Sequence, residues 1–229
     1  MSSIFINGKD TGYRENQNFW LDPNSPDAFK IANLDDYYPE IYFEADHIGS
    51  EVVQNYCNYI EQYFFRFTGR RIERMIEFGA AGGFFTEELQ KRGYKAVCIE
   101  GTEAGVARCT GRGVDPDSIL KMDLRRTTDF NIRFDIALCT EVAEHLEPPF
   151  HGTLVDNLTS VSDLIWFSFE PPNTNTPHLH HPGEFPAQYW INLFEFFGYG
   201  CFMLPDDVFE ACEHRGRMIF YNKEVYQHL

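Results

Sequence analysis

The sequence predicts an α/β fold in which a seven-stranded, mostly parallel sheet carries helices on both faces and ends in an antiparallel hairpin. From Ile72 onward, short apolar runs alternate with helical patterns, which is typical of repeated βαβ units. The two last apolar runs, YGCFML and RGRMIFYN, show no helical pattern between them. We therefore expect an antiparallel hairpin there, because a further parallel strand needs a crossover, usually helical.

The seven predicted strands are, in chain order, RMIEF, KAVCIE, SILKMD, FDIALCT, DLIWFSFE (163–170), YGCFML and RGRMIFYN. Helices are predicted at TEELQKRG, at AGVARCTGRG, within 141–160 and at AQYWINLFEFFG (187–198). An earlier helical spacing of apolar residues starts at Ser50 and ends at Thr68-Gly69. Residues 1–46 are rich in Asn, Asp, Pro and aromatic residues, so we expect irregular structure with short turns.

A chain of 229 residues suits one α/β core with an appendage. We divide it into an N-terminal cap segment with a linking helix, residues 1–69, and a core, residues 70–229. Aromatic residues of the cap are expected either to pack onto the core or to close over a ligand. They are Phe19, Trp20, Tyr37, Tyr38, Tyr42 and Phe43.

The excess of acidic residues indicates which classes of partner the protein disfavours. The chain has 19 Lys and Arg against 35 Asp and Glu, a net charge of −16 that repels a phosphate backbone. Nucleic acid is therefore disfavoured as a partner. The sequence has no run of 18 apolar residues and shows no secretion signal. Its six cysteines include no CxxC pair. We expect a cytoplasmic protein with free thiols and no membrane span, and the sequence does not indicate its oligomeric state.

The segment MIEFGAAGGFFTEEL carries the strongest local signal. A strand ending near Glu77 leads into a small-residue turn, Gly79 to Gly83, and then into a helix. Only small residues let the backbone approach a ligand closely at such a turn. About 20 residues further on, the next strand ends in Glu100, where a carboxylate is able to accept both hydroxyls of a ribose. Together these features predict an adenosine-binding crevice.

A dinucleotide would require glycine at the first, third and sixth positions of the turn. Ala81 and Phe84 stand at the third and sixth, so a nicotinamide-dependent oxidoreductase is disfavoured. An acidic residue two positions before the first glycine, Glu77, suits an ammonium group better than a pyrophosphate. This favours the amino-acid end of S-adenosylmethionine.

These residues resemble the class I methyltransferases that use S-adenosylmethionine, whose first motif is an acidic residue followed by GxGxG. Ala81 replaces the middle glycine of that motif. The resemblance implies a Rossmann-like sheet, S-adenosyl-L-methionine as cofactor and S-adenosyl-L-homocysteine as product. It also implies that Glu100 contacts the ribose and Asp123 the adenine amino group. The predicted cofactor-binding residues are Glu77, Gly79, Ala80, Ala81, Gly82, Glu100, Gly101, Thr102, Met122, Asp123, Leu124 and Thr140.

The predicted reaction transfers a methyl group to a hydroxyl of a small molecule or sugar. Because the sulfonium already activates the methyl group, the protein mainly positions the acceptor and removes a proton. FDIALCTEVAEHLEP resembles the family's fourth motif and the helix after it, and many members place a histidine near the methyl group there. His145 is therefore the first candidate for a general base. The alternative is that His145 only caps a helix or contacts the cofactor. Glu141 and His180 complete the predicted catalytic set.

The loop HLHHPGEFPAQYW resembles a subset of bacterial and viral methyltransferases, some of which modify sugars. His180 or His181 is able to hydrogen-bond an acceptor hydroxyl there, and an exposed loop without a catalytic role is the alternative. A divalent metal is possible if Glu141, Glu170 and one loop histidine converge, but no metal ligand is predicted.

Three alternatives remain open: a protein methyltransferase, another N-methyltransferase, and a catalytically silent domain. No NPPY-like tetrapeptide follows FDIALCT, where Thr140-Glu141-Val142-Ala143 stands instead. This disfavours the enzymes that methylate amino groups of nucleic acids. The silent domain is disfavoured because the three predicted acidic cofactor contacts are all present.

Overall fold

The structure is a computed structural model that describes residues 3–6, 9–14, 34–38, 40, 48–172, 181–213 and 217–227. Two strands near the N-terminus, β1 (Ser3–Ile6) and β2 (Lys9–Arg14), pair antiparallel as a separate two-stranded sheet. The other strands form the central sheet. They are β3 (Arg74–Phe78), β4 (Lys95–Glu100), β5 (Ile119–Lys121), β6 (Ile136–Cys139), β7 (Leu164–Phe167), β8 (Tyr199–Met203) and β9 (Met218–Asn222).

The central sheet has the strand order β5-β4-β3-β6-β7-β9-β8. The first five strands in this order are parallel, and β9 pairs antiparallel with both β7 and β8. This confirms the predicted seven-stranded, mostly parallel sheet with a closing antiparallel hairpin. The chain runs from β3 to one side as β4 and β5, and then returns to the other side as β6. Ligands of open α/β sheets bind at such a switch point, beyond the carboxyl ends of the strands.

Helices cover both faces of the sheet, as the sequence predicts. On one face α2 (Ser50–Thr68), α3 (Phe84–Lys91) and α7 (Asp206–Ala211) pack around the buried Trp166. On the other, α5 (His151–Val161) and α6 (Ala187–Phe196) pack around Phe167. Helix α4 (Glu103–Arg112) contributes Cys109 to a small apolar cluster with Cys98 of β4. A short helix of the cap, α1 (Leu34–Tyr37), precedes them all.

The linking helix has the predicted bounds, and a local sequence signal fixes its carboxyl end. Gly69 adopts a left-handed backbone with φ 68°, and its N–H donates to the Phe65 carbonyl. This is the usual way in which a glycine ends a helix. Among the described helices, none combines the length and apolar character needed to cross a membrane.

Two sequence expectations are wrong. The connection between β8 and β9 contains helix α7, although we expected none. Pro205 precedes the helix, and Asp206 and Asp207 occupy its first turn, a pattern that favours a helix start. Six residues are too few to show the apolar periodicity on which the prediction depended.

The second difference concerns the cap, for which we expected irregular structure. The described residues instead include the hairpin of β1 and β2 and the helix α1. In the sequence, Asn7-Gly8 stands between the two strands, a pair typical of tight hairpin turns. The abundance of turn-forming residues over the first 46 positions therefore concealed short regular elements.

Candidate functional site

The turn after β3 has an unusual backbone. Gly79, Ala81 and Gly83 all have positive φ, at 75°, 47° and 71°. The amides of Gly79 and Ala80 both donate to the Ile99 carbonyl, at 2.9 and 3.0 Å. The turn is thereby fixed to the end of β4, and its backbone lies at the carboxyl edge of the sheet.

Close packing explains why glycine stands at two of these positions. A Cβ atom on Gly79 would come within 2.6 Å of Cγ2 of Val142, and one on Gly83 within 2.9 Å of Sγ of Cys109. Gly82, between them, accepts a hydrogen bond from Nε of Arg112 at 2.7 Å through its carbonyl. The turn thus packs against both α4 and the segment that follows β6.

Glu100 joins the turn to α4. Its Oε1 accepts hydrogen bonds from the amide and the hydroxyl of Thr102, at 2.9 and 2.8 Å, and its Oε2 accepts one from the Ala81 amide at 2.9 Å. Burial raises the pKa of the Glu100 carboxyl, although these hydrogen bonds oppose the rise. Gly101 follows directly, and a Cβ there would lie 2.7 Å from Cδ1 of Leu34 in the cap. The predicted ribose residue is therefore buried at the strand end, beneath the cap.

Glu77 lies under the turn. Its Oε2 accepts hydrogen bonds from the amide of Thr86, at 3.2 Å, and from the Thr86 hydroxyl. Because Thr86 lies in the first turn of α3, the carboxylate stabilises the start of that helix. A contact between Glu77 and an ammonium group stays a prediction.

The predicted adenine residues follow β5. The Met122 amide donates to the Glu100 carbonyl at 3.0 Å, which places this segment beside the predicted ribose residue. The carboxylate of Asp123 accepts hydrogen bonds from Nε and Nη2 of Arg125, at 3.0 and 2.9 Å. Leu124, the residue between these two in the sequence, is buried. Arg125 also pairs with Glu147 at 3.2 Å. The sequence analysis missed Arg125, which fixes Asp123 from two positions away.

The segment after β6 forms the other side of the site. Thr140 is half-buried there, and Glu141 has a left-handed backbone with φ 53°. Residues Ala143–His145 then form a single 3-10 turn, with the His145 amide donating to the Val142 carbonyl at 3.0 Å. A non-glycine residue in that backbone region is uncommon, and such strain concentrates at functional sites. Because Val142 also packs against Gly79, this segment lies directly beside the turn from Gly79 to Gly83, which we call the cofactor turn after its predicted role.

The structure brings two histidines and a buried carboxylate together at this point. The rings of His145 and His181 are perpendicular, with centroids 4.5 Å apart. Potential ligand atoms of Glu144, His145 and His181 all lie within 4.8 Å of one another. The loop is held there by the Gly183 amide, which donates to the Glu144 carbonyl at 2.8 Å. We refer to Glu144, His145 and His181 as the histidine cluster.

Glu144 is the residue of this cluster that the sequence analysis missed. Its side chain is 1% exposed. Burial, followed by the negative charge of Glu141, raises the pKa of its carboxyl well above the usual value, although hydrogen bonds from the backbone of Glu144 and Glu170 oppose the rise. The spacing Glu141-x-x-Glu144-His145 was the sequence signal for this cluster. Residues three and four apart lie on one face of a helical turn, so these side chains are able to lie close together.

The cap contacts both the histidine cluster and the start of α4. The Tyr38 hydroxyl lies 3.3 Å from Nδ1 of His145, and Asp35 accepts a hydrogen bond from the Glu103 amide at 2.6 Å. His180 lies outside the described residues, as do Phe19, Trp20, Tyr42 and Phe43. Its catalytic role, like the whole set of site residues, stays a prediction.

Comparisons with known proteins bear on the fold and on the segment that carries these residues. Residues 76–158 match the model of a family described as the methyltransferase domain. A search of curated protein sequences gave no match. Among solved structures, magnesium protoporphyrin IX methyltransferase from Synechocystis, with S-adenosylhomocysteine bound, is similar at a TM-score of 0.55 and 14% identity, covering 82% of this chain and 96% of its own.

Two further structures illustrate the range of the similarity. A sugar N-methyltransferase from Streptoalloteichus gives a TM-score of 0.59 at 12% identity, with 81% of this chain and 92% of that chain covered. A small RNA methyltransferase gives 0.53 at 13% identity, with 73% of this chain and 25% of that chain covered. At such identities the likeness shows the fold alone.

The residues at the carboxyl edge fit S-adenosylmethionine. The closely packed backbone of Gly79 to Gly83 suits the amino-acid end, the buried Glu100 carboxylate suits the ribose, and Met122 and Leu124 offer apolar surface for the adenine. The family match covers the strands that carry these residues. Residues 76–158 therefore match a methyltransferase-domain family, and the central sheet has the fold of the solved methyltransferase structures to which it is similar.

Proposed function

We propose that the chain transfers a methyl group from S-adenosylmethionine to a hydroxyl of a small molecule, with sugars as the favoured class. One observation carries the proposal. The histidine cluster lies next to the cofactor turn. Val142 packs against Gly79, and its carbonyl accepts a hydrogen bond from the His145 amide. This position supports a role for these residues in accepting a proton near the transferred methyl group.

The bound cofactor supplies an electrophilic methyl group. The chain's own residues position the acceptor oxygen in line and accept its proton. We assign His145 as the group that faces the acceptor hydroxyl. The Tyr38 hydroxyl, 3.3 Å from Nδ1, fixes the orientation of its ring. Glu141, at the strained position after β6, supports the turn that carries His145.

The sugar class is supported by the loop around His181 and by one of the structural relatives, which is a sugar N-methyltransferase. Another relative is a small RNA methyltransferase, so the acceptor has to be identified by experiment. The acidic net charge of −16 favours an uncharged acceptor over a phosphate backbone.

The first experiment is a calorimetric titration with S-adenosylhomocysteine. We expect binding in the micromolar range, weakened by about 30-fold or more in Glu100→Ala, because hydrogen bonds to a charged group contribute about 2 kcal/mol. Absence of binding to the wild type would contradict the cofactor assignment. Unchanged affinity in Glu100→Ala would contradict the role of Glu100.

The second experiment follows a labelled methyl group from the cofactor to a panel of sugars, matched amino sugars, phenols and a short RNA. Transfer to a hydroxyl of a small molecule is expected, and His145→Ala should lower the rate by about 100-fold with cofactor affinity unchanged. Glu210→Ala, an exposed position in α7, serves as the control. Transfer to the amino sugars alone, or to RNA alone, would overturn the proposed acceptor, and a full rate in His145→Ala would remove its role.

A further inference from the structure

We propose that Glu144, His145 and His181 form a binding site for a divalent transition-metal ion beside the cofactor. The sequence analysis considered a different set, Glu141 and Glu170 with a loop histidine, and predicted no ligand. The binding of the ion is argued from geometry and charge. Its role in methyl transfer rests on the proposed function.

The first argument is the separation of the potential ligand atoms. One atom from each of Glu144, His145 and His181 lies within 4.8 Å of the others. Around an ion with bonds of about 2.1 Å, neighbouring ligands lie about 3 to 4 Å apart. Side-chain adjustments of an ångström or so would therefore complete the site, without rearrangement of the backbone.

The second argument is the environment of the two histidines. Nδ1 of His181 lies 3.2 Å from Oε1 of Glu184, whose side chain is 10% exposed. Nδ1 of His145 lies 3.3 Å from the Tyr38 hydroxyl. Histidines that bind metals usually have one ring nitrogen held by a carboxylate or another polar group, which fixes the ring while the other nitrogen binds the ion. Both histidines have such a partner.

The third argument is the buried carboxylate. Oε2 of Glu144 is buried and has no hydrogen-bond partner among the described residues. No Lys or Arg forms an ion pair with Glu144 in this part of the chain, whereas Glu141 and Glu170 add negative charge. A buried oxygen without a hydrogen-bond partner destabilises a protein by about 1 to 3 kcal/mol. A bound cation would satisfy this oxygen.

The ligand set also indicates the class of ion. Two imidazoles with carboxylate oxygens suit Mn²⁺, Fe²⁺, Co²⁺ or Zn²⁺ better than Ca²⁺, which prefers oxygen ligands alone. With an ion bound, His145 would be one of its ligands and no longer a free base. The ion would then activate the acceptor hydroxyl instead, by lowering its pKa, as bound divalent ions do for water.

The test is a titration of the full chain with Mn²⁺, followed by the loss of the electron paramagnetic resonance signal of the free ion. We expect about one tight site per chain, with Glu144→Gln and His181→Ala each weakening it by 100-fold or more. Glu184→Gln should weaken it by about 10-fold, because it replaces the charged partner of a ligand with a neutral one. Glu210→Gln is the matched control for the charge change and should bind Mn²⁺ as the wild type does.

Each variant is also titrated with S-adenosylhomocysteine, since retained affinity shows that the fold is intact. Wild-type protein that binds no Mn²⁺ below millimolar concentrations would overturn the proposal. Mn²⁺ affinity equal to wild type in both Glu144→Gln and His181→Ala would do so as well. If Mn²⁺ binds but no acceptor is methylated, the proposed function fails while the metal site stands.

Discussion

Ala81 has a left-handed backbone with φ 47°, at the position where the family motif has glycine. This conformation costs an L-residue about 1 to 2 kcal/mol, against about 0.5 to 1 kcal/mol for the extra chain entropy of glycine. Ala81→Gly should therefore raise the free energy of unfolding by up to about 1 kcal/mol and leave the cofactor affinity unchanged. Denaturant unfolding and calorimetry measure the two quantities.

Ala80→Gly is the matched control. Ala80 is buried and is not among the described residues with positive φ, so glycine there should only destabilise. Equal destabilisation by both substitutions would show that the left-handed backbone of Ala81 carries no strain.

Gly79 gives a second prediction at the scale of one residue. Gly79 and Gly69 have similar backbones, with φ 75° and 68°, but only a Cβ on Gly79 meets another atom within 4 Å. Gly79→Ala should therefore lower both stability and cofactor affinity, whereas Gly69→Ala should lower stability alone, by about 1 kcal/mol. Thermal unfolding and titration with S-adenosylhomocysteine separate these effects. Full cofactor affinity in Gly79→Ala would contradict the assigned position of the turn.

The predicted residues of the cofactor site have a spacing that follows the strands that carry them, so sequence reasoning was able to place them in the fold. Glu77, Glu100 and Asp123 each stand at or just beyond a strand. Arg125 and Glu144 were not found, because their partners are set by tertiary packing. The carboxylate of Glu144, for example, meets His181 from a loop 37 residues further along the sequence.

At the scale of elements, His151 connects three segments. It begins α5, its Nε2 lies 2.9 Å from the Leu146 carbonyl, and its Nδ1 lies 2.9 Å from the Tyr189 hydroxyl of α6. The carbonyl must accept, so Nε2 carries the proton and Nδ1 accepts from the tyrosine. A Cβ on Gly183 would lie 2.7 Å from the same ring, so the loop with His181 packs here too.

Burial lowers the pKa of His151 from 6.5 to about 4. Above pH 6.5 the residue is neutral in both folded and unfolded chains. As the pH falls from 6.5 towards 4, the unfolded chain binds a proton first, so stability should decrease by about 3 kcal/mol and then level off. Denaturant unfolding across this range measures the decrease.

His151→Gln should remove that part of the pH dependence while it lowers stability at pH 7 through lost hydrogen bonds. If the variant and the wild type had the same slope between pH 6.5 and 4, His151 would not be the group that titrates.

The elements that the sequence predicted are those with a long or strongly apolar pattern. The helix Ser50–Thr68 shows apolar periodicity over 19 residues, and the central strands are continuous apolar runs. Helix α7 and the strands β1 and β2 are short, and their patterns do not exceed those of ordinary loops. Their formation depends on neighbours that the local sequence does not specify.

At the scale of the whole molecule, the cap contacts both halves of the site. Leu34 and Asp35 contact the segment after β4, and Tyr38 reaches His145. We propose that this part of the cap orders the acceptor side more than the cofactor side. Tyr38→Phe should lower turnover by about fivefold, from the loss of one hydrogen bond, with little change in cofactor affinity.

The pH profile of turnover distinguishes this role from a structural one, because the profile should shift when the partner of His145 is removed. Glu40→Ala, an exposed residue of the cap, is the control. An equal loss of turnover and cofactor affinity in Tyr38→Phe would contradict the proposed role of the cap.

Val142, in the segment after β6, packs against Gly79 of the cofactor turn. A ligand that shifts the segment after β6 is therefore expected to move the cofactor turn as well. Thermodynamic linkage then requires reciprocity: if the cofactor changes the affinity for an acceptor or an ion by some factor, these change the cofactor affinity by the same factor. Titration of either ligand in the presence of the other should therefore give one and the same coupling free energy.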